Sequence, residues 1–446
     1  MKGKPQDLSQ KGFFTNLEDT LNPRHPLYQL SERIPWEVFE REFSRKYKKT
    51  GRPSKPIRLM VSLMILKQMH DLSDEQLVRG WVENPYWQYF SGSRQFQWKF
   101  PCDPSEMTYF RRRIGKEGAE LILEVSAKMH GSKALEEEIV PDTTVQEKNI
   151  TFPTDTKLHI KTVRWVWRIA EKEEIKLRQS YKRTIPKLLW TSRHIRSKKR
   201  KKEAMAAKRK INTLGGRLVR DIERKMGLEL KEKYKQTISN CYKILEQKQG
   251  DQDKLYSLHE PEVSCIAKGK EHKKYEFGSK VSILLTKNSG IIVGAKSFQG
   301  NPYDGNTLEE ALSQYKKLFG KMPSRALVDE GYRGKNYIGE PEILRVHQKK
   351  KPGWSRWRWK ERFKRRASVE AAIAHLKNDY RMRRNYLKGS IGDSINLMMS
   401  CAAFNFAKYM RELAFYLQKL IAAMRKFMPF SENNRIDFEK YNICFV

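Results

Sequence analysis

The segment ALVDEGYRG, residues 326–334, is a short apolar strand that runs into a polar glycine turn, with Asp329 at the strand's end. An earlier segment, IVPDTT at residues 139–144, has the same form and breaks into polar residues at Asp142. Short apolar runs bounded by turn residues are typical of buried strands. The two segments therefore predict a pair of carboxylates at the ends of two strands.

A third carboxylate, Glu370, lies on a predicted helix that continues to Lys377. At about 100° per residue, positions four before and seven after the glutamate lie within about 40° of it. Arg366, Glu370 and Lys377 therefore form one stripe, in which a carboxylate stands between two cations that suit DNA phosphates. A surface helix with ordinary charge pairs fits the same spacing.

Three carboxylates of this kind supply the oxygen ligands that hard divalent cations prefer. A pair of such ions activates an attacking oxygen and stabilises the leaving oxygen in phosphodiester chemistry. We therefore expect Asp142, Asp329 and Glu370 to be both metal ligands and catalytic residues. The competing interpretation is that each is simply solvated, as most carboxylates are.

The chain is strongly basic, with 90 Lys and Arg against 52 Asp and Glu among 446 residues. Its net charge of +38 steers it to polyanions and makes binding sensitive to salt. Residues 161–250 contain 28 basic and 9 acidic residues, and residues 341–390, around Glu370, contain 16 and 4. Charge alone also fits ribosomal or membrane-surface attachment, so it indicates the class of partner and not the reaction.

Several motifs resemble those of the DDE transposases of bacterial insertion sequences, in the order of that family. The best match is the group named after the fifth insertion sequence, well over residues 138–407 and loosely over residues 56–131. The similar motifs are DTTVQEKNI from Asp142 with TDTK from Thr154, YDGNTL from Tyr303, VDEGYRG from Val328, the Arg366–Glu370–Lys377 helix, and RNYLKG from Arg384 with Asp393, Asn396 and AFNF from Ala403.

This resemblance implies a ribonuclease-H-like fold and two Mg²⁺ ions, for which Mn²⁺ substitutes. Asp142 would bridge both ions, while Asp329 would hold one and Glu370 the other. Phe363 departs from the tyrosine of the related fourth-insertion-sequence group, and Glu330 stands where a basic residue is common. Neither departure removes a carboxylate.

The chain pattern and the resemblance together predict an α/β protein with a ribonuclease-H-like core, a large helical insertion, and a preceding helix-turn-helix-like domain. Without the resemblance, the pattern supports only a mixed sheet. The expected parts are a loosely structured arm at residues 1–55, a helical DNA-binding or dimerisation domain at 56–131, the catalytic domain at 132–407 with its insertion at about 161–255, and a helical tail at 408–446.

Local signals refine these expectations. Strand patterns at residues 277–286 and 290–298 predict a hairpin, and Thr307 is predicted to begin a helix as the first residue of a capping box. Within the insertion, Gly215-Gly216 and Pro186 are expected to interrupt the helices.

Basic and aromatic clusters are the remaining candidate DNA contacts. In the N-terminal domain, a capping box at Ser73 and a cap at Ser105 predict helices, the last of which carries an arginine cluster. The predicted contacts are Arg111, Arg112 and Arg113 of that cluster; Lys198, Lys199, Arg200, Lys201 and Lys202; Trp354, Trp357 and Trp359 of a loop before the catalytic helix; and Arg384, Arg366 and Lys377. Solvated charge runs and buried core aromatics are the alternatives.

The five cysteines have no CxxC spacing and the nine histidines form no ligand pair, which argues against a zinc site. There is no apolar N-terminal signal segment, and charged residues break the apolar stretch at 395–424. We expect a cytoplasmic, nucleoid-associated protein without a membrane span, active on DNA as a homodimer or larger assembly.

The resulting prediction is a transposase that cuts double-stranded DNA at terminal inverted repeats and joins the 3′ ends to target DNA. Water and then the freed 3′ hydroxyl would be the nucleophiles. The alternatives are a metal-dependent nuclease of the same fold, acting on RNA or branched DNA, and an inactive DNA-binding regulator derived from a transposase.

Replacement of the basic run Lys198–Lys202 by glutamines tests its contact with DNA. If all five side chains touch duplex phosphates, the slope of log K against log salt should flatten by up to roughly 4 units, because fewer counterions are released. Binding titrations over a salt series measure the slope, and metal-dependent nicking at saturating protein should change little. An unchanged slope would mean that the run is only solvated.

Overall fold

The computed structural model describes residues 16–48, 50–248, 250–267, 274–333, 340–346 and 355–427, the last twelve of these and Arg358 by their backbone only. The described residues fall into two compact units. One takes its residues from 1–114, 124–131 and 402–446, and the other from 115–123 and 132–401.

The α-helices are α1 (Leu17–Thr20), α2 (Pro26–Arg33), α3 (Trp36–Ser44), α4 (Ile57–Met69), α5 (Asp74–Glu83), α6 (Pro85–Phe90), α7 (Pro104–Lys128), α8 (Asp155–Lys172), α9 (Thr184–Ser192), α10 (Lys201–Lys225), α11 (Leu228–Glu246), α12 (Asp304–Phe319), α13 (Arg356–Lys364), α14 (Ser368–Asn378) and α15 (Gly389–Phe427). The strands are β1 (Glu138–Glu147), β2 (Ser264–Ala267), β3 (Tyr275–Thr286), β4 (Ile292–Phe298), β5 (Arg325–Val328) and β6 (Glu342–Arg345).

The N-terminal helices form a packed apolar core. Leu30 of α2 and Phe39 and Phe43 of α3 are fully buried, and the Trp36 indole N–H donates to the carbonyl of Ser31 over 2.8 Å. The expectation of a loosely structured arm over residues 1–55 is therefore wrong for the described residues 16–48. Its apolar residues recur every three to four positions, which is the spacing of a buried helical face.

The helix starts that follow agree in part with the sequence. Both reciprocal hydrogen bonds of the capping box at Ser73 are present, so that prediction is confirmed. The cap of α7 is Asp103 and not Ser105, because the Asp103 carboxylate accepts the N–H of Ser105 and Pro104 takes the first helical position.

A six-stranded mixed sheet forms the centre of the second unit, in the order β2-β3-β1-β5-β6, with β4 also paired to β3. Strand β1 is antiparallel to β3 and parallel to β5, which is parallel to β6. The hairpin of β3 and β4 confirms the sequence prediction. The prediction of a mixed α/β fold is thus confirmed, and its central strand is the one that carries Asp142.

Helix α12 begins three residues earlier than predicted. Thr307 lies inside its first turn, where its hydroxyl donates to the carbonyl of Asp304 over 2.7 Å, so Thr307 is not the cap. Gly320 ends the helix in the left-handed conformation with φ of 73°, where glycine carries no side-chain penalty.

Helices α8–α11 lie between β1 and β2 and confirm the helical insertion. They enclose a core of their own, made of Ile160, Val163, Val166, Ile169, Ala170, Ile185, Ile211, Leu214, Leu218, Val219, Ile222, Met226, Ile238 and Cys241. A separate core explains how a long helical segment can interrupt the sheet, although Trp190, Met205 and Leu228 of the insertion stay exposed.

The expected interruption at Gly215-Gly216 is wrong, because α10 continues through both glycines. A Cβ atom on Gly215 would lie 3.1 Å from Cδ2 of Leu245 on α11. The glycine therefore allows two helices to approach closely. Pro186 lies in the first turn of α9, where its missing N–H breaks no helical hydrogen bond.

Substitution of Gly215 by Leu should destabilise the insertion. The added side chain meets Leu245 in a filled core, and overpacking of this kind costs about 1–3 kcal/mol. Urea unfolding measures the loss. Gly216→Ala is the control, because its Cβ would meet only the guanidinium of Arg220, 3.3 Å away on the same helix. Equal stability of Gly215→Leu and the parent protein would contradict the close approach.

Candidate metal and DNA site

The register of β1 and β5 brings two of the predicted carboxylates together. Ile139 lies opposite Ala326 in this parallel pair. Continued for three residues beyond this pair, the register sets Asp142 level with Asp329, which directly follows β5. Asp142 lies inside β1, so the prediction that its strand ends there is wrong. Each carboxylate accepts the N–H of the residue that follows it, Thr143 or Glu330, over 2.8 Å. These bonds fix the orientation of both side chains.

Glu370 lies on α14, which packs against β1. Burial, together with the negative charges of Asp329 and Glu370, raises the pKa of Asp142 to about 6. The Thr143 N–H and the Arg366 guanidinium act in the opposite direction. All three predicted carboxylates therefore lie close enough to influence one protonation equilibrium.

Arg366 pairs with Asp329, with 3.2 Å between Nη2 and Oδ2. The arginine side chain is 14% exposed, and its other terminal nitrogen, Nη1, has no hydrogen-bond acceptor among the described residues. Arg366 lies in a short 3₁₀ turn, residues 365–367, and α14 begins only at Ser368. The predicted stripe of Arg366, Glu370 and Lys377 is thus only partly α-helical. Glu370 and the half-buried Lys377 both lie on α14.

The residues present fit divalent cations by their chemistry, since all three are carboxylates and their mutual repulsion would be relieved by a positive ion. Among the described residues, no three His, Cys, Asp or Glu side chains form a ready-made metal-binding group. In a site with two ions and one shared aspartate, each ion binds only two of the three carboxylates, so no group of three around one ion is needed. In this structure the positive charge beside Asp329 is that of Arg366.

The arginine cluster of α7 divides into different roles. Arg111 is buried and binds both oxygens of Asp74, with nitrogen-to-oxygen distances of 2.9 and 2.6 Å. Its prediction as a DNA contact is therefore wrong, because the guanidinium already holds α7 to α5. Arg112 is exposed, and the Arg113 guanidinium lies 4.3 Å from the ring centre of Tyr47.

Of the three predicted tryptophan contacts, Trp354 lies outside the described residues. Trp357 is 71% exposed, whereas Trp359 is buried and packs on Phe363 with 5.1 Å between ring centres. DNA contact by Trp359 is therefore a wrong prediction. Both tryptophans lie on α13 and not in a loop, and the four-residue spacing of Trp359 and Phe363 was the overlooked sign of a helix face.

The remaining candidates are exposed. Lys198–Lys202 lie at the start of α10, where the Arg200 guanidinium is 5.8 Å from the ring centre of the exposed Trp190. Arg384 is also exposed, and donates to the carbonyl of Ile150 over 3.4 Å. Their contact with DNA stays a prediction.

Several motif residues prove to be buried supports of the site. The Lys148 ammonium lies 2.8 Å from Asp393 and 3.2 Å from Glu260, all three being buried. Asn385 donates to Asp393 over 2.6 Å, and Asn396 donates to Gln146 over 3.0 Å. This network anchors the segment after α14 to the end of β1. Sequence alone did not assign it, since its members lie up to 250 positions apart.

Comparison with known proteins gives two family matches. The chain matches a family model described as a transposase domain over residues 15–113 and one described as a transposase DDE domain over residues 250–406. Asp329 and Glu370 fall inside the second match, and Asp142 lies between the two. A protein of Rhizobium meliloti, described as uncharacterized protein ORF8 in the nfe locus, is 46% identical over 185 residues, 40% of this chain and 89% of that protein.

No solved structure matches the chain. Two transposase models nevertheless match in sequence order, and the second carries two of the three carboxylates. The chain therefore belongs to the DDE transposases. Within that class it is a transposase of an insertion sequence. No helix in the described ranges is both long and apolar enough to cross a membrane.

Asp142→Asn should stabilise the metal-free protein at neutral pH. The pKa of Asp142 is raised from 3.8 to about 6 in the folded state, so the unfolded chain ionises first and the parent loses stability as pH rises from about 4 to about 6. The asparagine avoids this loss, worth at most about 3 kcal/mol. Urea unfolding in EDTA at pH 7.5 and pH 4 should show the gain only at pH 7.5. An equal gain at both values would contradict the raised pKa.

Proposed function

We propose that this transposase cleaves DNA at the ends of its insertion sequence and joins the 3′ ends to target DNA, using two Mg²⁺ ions. The observation that carries the proposal is the β1–β5 register, which sets Asp142 level with Asp329 beneath the helix of Glu370. Two neighbouring strands and one helix then supply carboxylates to a common centre.

The sheet order supports a ribonuclease-H-like core as the finer description of the fold. A β3–β4 hairpin is followed across the sheet by central β1 and by parallel β5 and β6. Antiparallel strands on one side of the central strand and parallel strands on the other are the arrangement that the resemblance implies. The insertion enters directly after the strand of Asp142.

Divalent ions would activate the attacking oxygen and stabilise the leaving oxygen at this centre. Asp142 would be a ligand of both ions, Asp329 of one and Glu370 of the other. Arg366 compensates the charge of Asp329 and would turn Nη1, which has no acceptor within the described part of the chain, to a DNA phosphate. Water and then the freed 3′ hydroxyl would attack in turn, without a covalent protein intermediate.

The surroundings of the centre suit double-stranded DNA. Three exposed side chains lie on the segments before and after α14: Arg365, Trp357 and Arg384. Lys377 lies near the end of α14 itself. The basic insertion would add phosphate contacts at a distance from the chemistry. Two ends must be held together for transposition, so a homodimer or larger assembly would form on the terminal inverted repeats and target DNA.

Alanine substitution of Asp142, Asp329 or Glu370 should each abolish strand cleavage while leaving affinity for end DNA nearly unchanged. Loss of any one of these carboxylates removes a metal ligand but no phosphate contact. Cleavage of labelled end DNA in Mg²⁺, beside a gel-shift titration, measures both. Asp379→Ala is the control, because Asp379 is an exposed acid at the end of α14 that pairs with His375.

The products separate this proposal from its alternatives. Joined strands indicate a transposase, and cleavage without joining indicates a nuclease. End binding with no nicking in Mg²⁺ or Mn²⁺ indicates a DNA-binding regulator. Cleavage by Asp142→Ala at the parent rate would exclude the assigned centre.

A further inference from the structure

A fourth carboxylate, Asp304, lies beside the proposed centre and has no part in the proposed metal set. It is the first residue of α12 and is half-buried. The hydroxyl of Thr143 donates to its Oδ1 over 2.8 Å. Thr143 directly follows Asp142 on β1, so this bond holds the backbone next to the shared aspartate.

The second oxygen of Asp304 faces the turn that follows β5. A Cβ atom on Gly331, two residues after Asp329, would lie 2.7 Å from Asp304 Oδ2, closer than real Cβ contacts allow. Next to it, the Tyr303 hydroxyl donates to the carbonyl of Arg333 over 2.5 Å. The start of α12 therefore contacts the turn of Asp329 on one side and the strand of Asp142 on the other.

Lys280 of β3 holds this carboxylate in place. Its ammonium lies 2.5 Å from Asp304 Oδ1 and donates to the carbonyl of Pro302 over 2.7 Å. The lysine side chain is only 12% exposed, so the pair is poorly screened by water. Lys280 and the Thr143 hydroxyl both bind Oδ1, and the Gly331 backbone lies against Oδ2. The Asp304 carboxylate therefore has little freedom to rotate.

We propose that Asp304 is a positioning residue that sets the separation of the Asp142 and Asp329 carboxylates. It links β1, through Thr143, and the turn after β5, through Gly331, to the rigid start of α12. The inference rests on the proposed function, since it concerns how two of the metal ligands are placed. Residues that orient metal ligands typically change metal affinity or activity about 10- to 100-fold when they are lost.

Thr143→Val removes only the hydroxyl and keeps the shape and strand preference of the side chain. We expect cleavage at saturating end DNA to fall about 10- to 100-fold in low Mg²⁺, with partial recovery as Mg²⁺ is raised. Manganese titration followed by electron paramagnetic resonance should show weaker binding of Mn²⁺ without any turnover. Melting temperature and affinity for end DNA should stay as in the parent.

Asp304→Ala should weaken cleavage and Mn²⁺ binding to the same extent, but it should also lower the melting temperature, because Lys280 loses its ion-pair partner. Asp304→Asn should have a smaller effect, because an amide oxygen still accepts the Thr143 hydroxyl. Glu310→Gln is the matched control, since Glu310 is an exposed acid of the same helix that pairs with Lys296 over 3.2 Å. It should cleave and bind Mn²⁺ like the parent. Parent-like Mn²⁺ binding and cleavage by Thr143→Val would overturn the proposal.

A double-mutant cycle tests the contact with the turn. Gly331→Ala alone should impair cleavage and Mn²⁺ binding, because its methyl group displaces a carboxylate that Thr143 and Lys280 hold. In the Asp304→Ala background the methyl group has room, so its additional effect should be clearly smaller. Additive effects would show that Gly331 and Asp304 are not coupled and would overturn this half of the link.

Asp142→Ala, assayed in parallel, separates the two proposals. If it cleaves like the parent, the assigned centre itself is wrong. If it is inactive while Thr143→Val and Asp304→Ala behave like the parent in both cleavage and Mn²⁺ binding, the centre stands and only the role of Asp304 fails. Weaker Mn²⁺ binding at an unchanged melting temperature supports the role, since general destabilisation would lower both.

Discussion

Three carboxylates on adjacent segments repel one another at the centre of the sheet unit. The parallel register of β1 and β5 sets Asp142 level with Asp329, and α14 adds Glu370. Burial and this repulsion together raise the pKa of Asp142 to about 6. A fold that keeps such a cluster gives up stability at neutral pH, and the proposed metal ions would recover it by binding only the folded chain.

The elements around this cluster restrain it with cations and hydrogen bonds. Arg366 faces Asp329, while Lys280 and Thr143 hold Asp304. Further along β1, the buried ammonium of Lys148 joins Asp393 and Glu260. Buried ion pairs contribute little net stability but are costly to break, so they favour one arrangement over its alternatives. These ion pairs therefore fix the positions of the carboxylates more than they stabilise the fold.

The strongly basic insertion is separated from this chemistry by its own core. Helices α8–α11 bury an apolar cluster among themselves, and the run Lys198–Lys202 is exposed at the start of α10. An insertion that folds around its own core can gain or lose surface charge without disturbing the sheet. This separation is why charge changes there are expected to alter DNA binding before they alter cleavage.

Short stretches of sequence were enough to predict the strand that ends just before Asp329, the helix of Glu370, the β3–β4 hairpin and the helical insertion. The prediction that a strand ends at Asp142 was wrong, because β1 continues to Glu147 and pairs with β3 along its length. Features that depend on distant partners followed only from tertiary contacts. Arg111 is a support because Asp74 lies beside it, Trp359 is buried against Phe363, and Gly215 lies inside α10, where it lets α11 approach closely. Asp304 gains its place only when β1, β3 and the turn after β5 meet at α12. The periodicity of a sequence indicates which face of a helix or strand is apolar. The pairing of charged side chains depends instead on contacts between residues far apart in the chain.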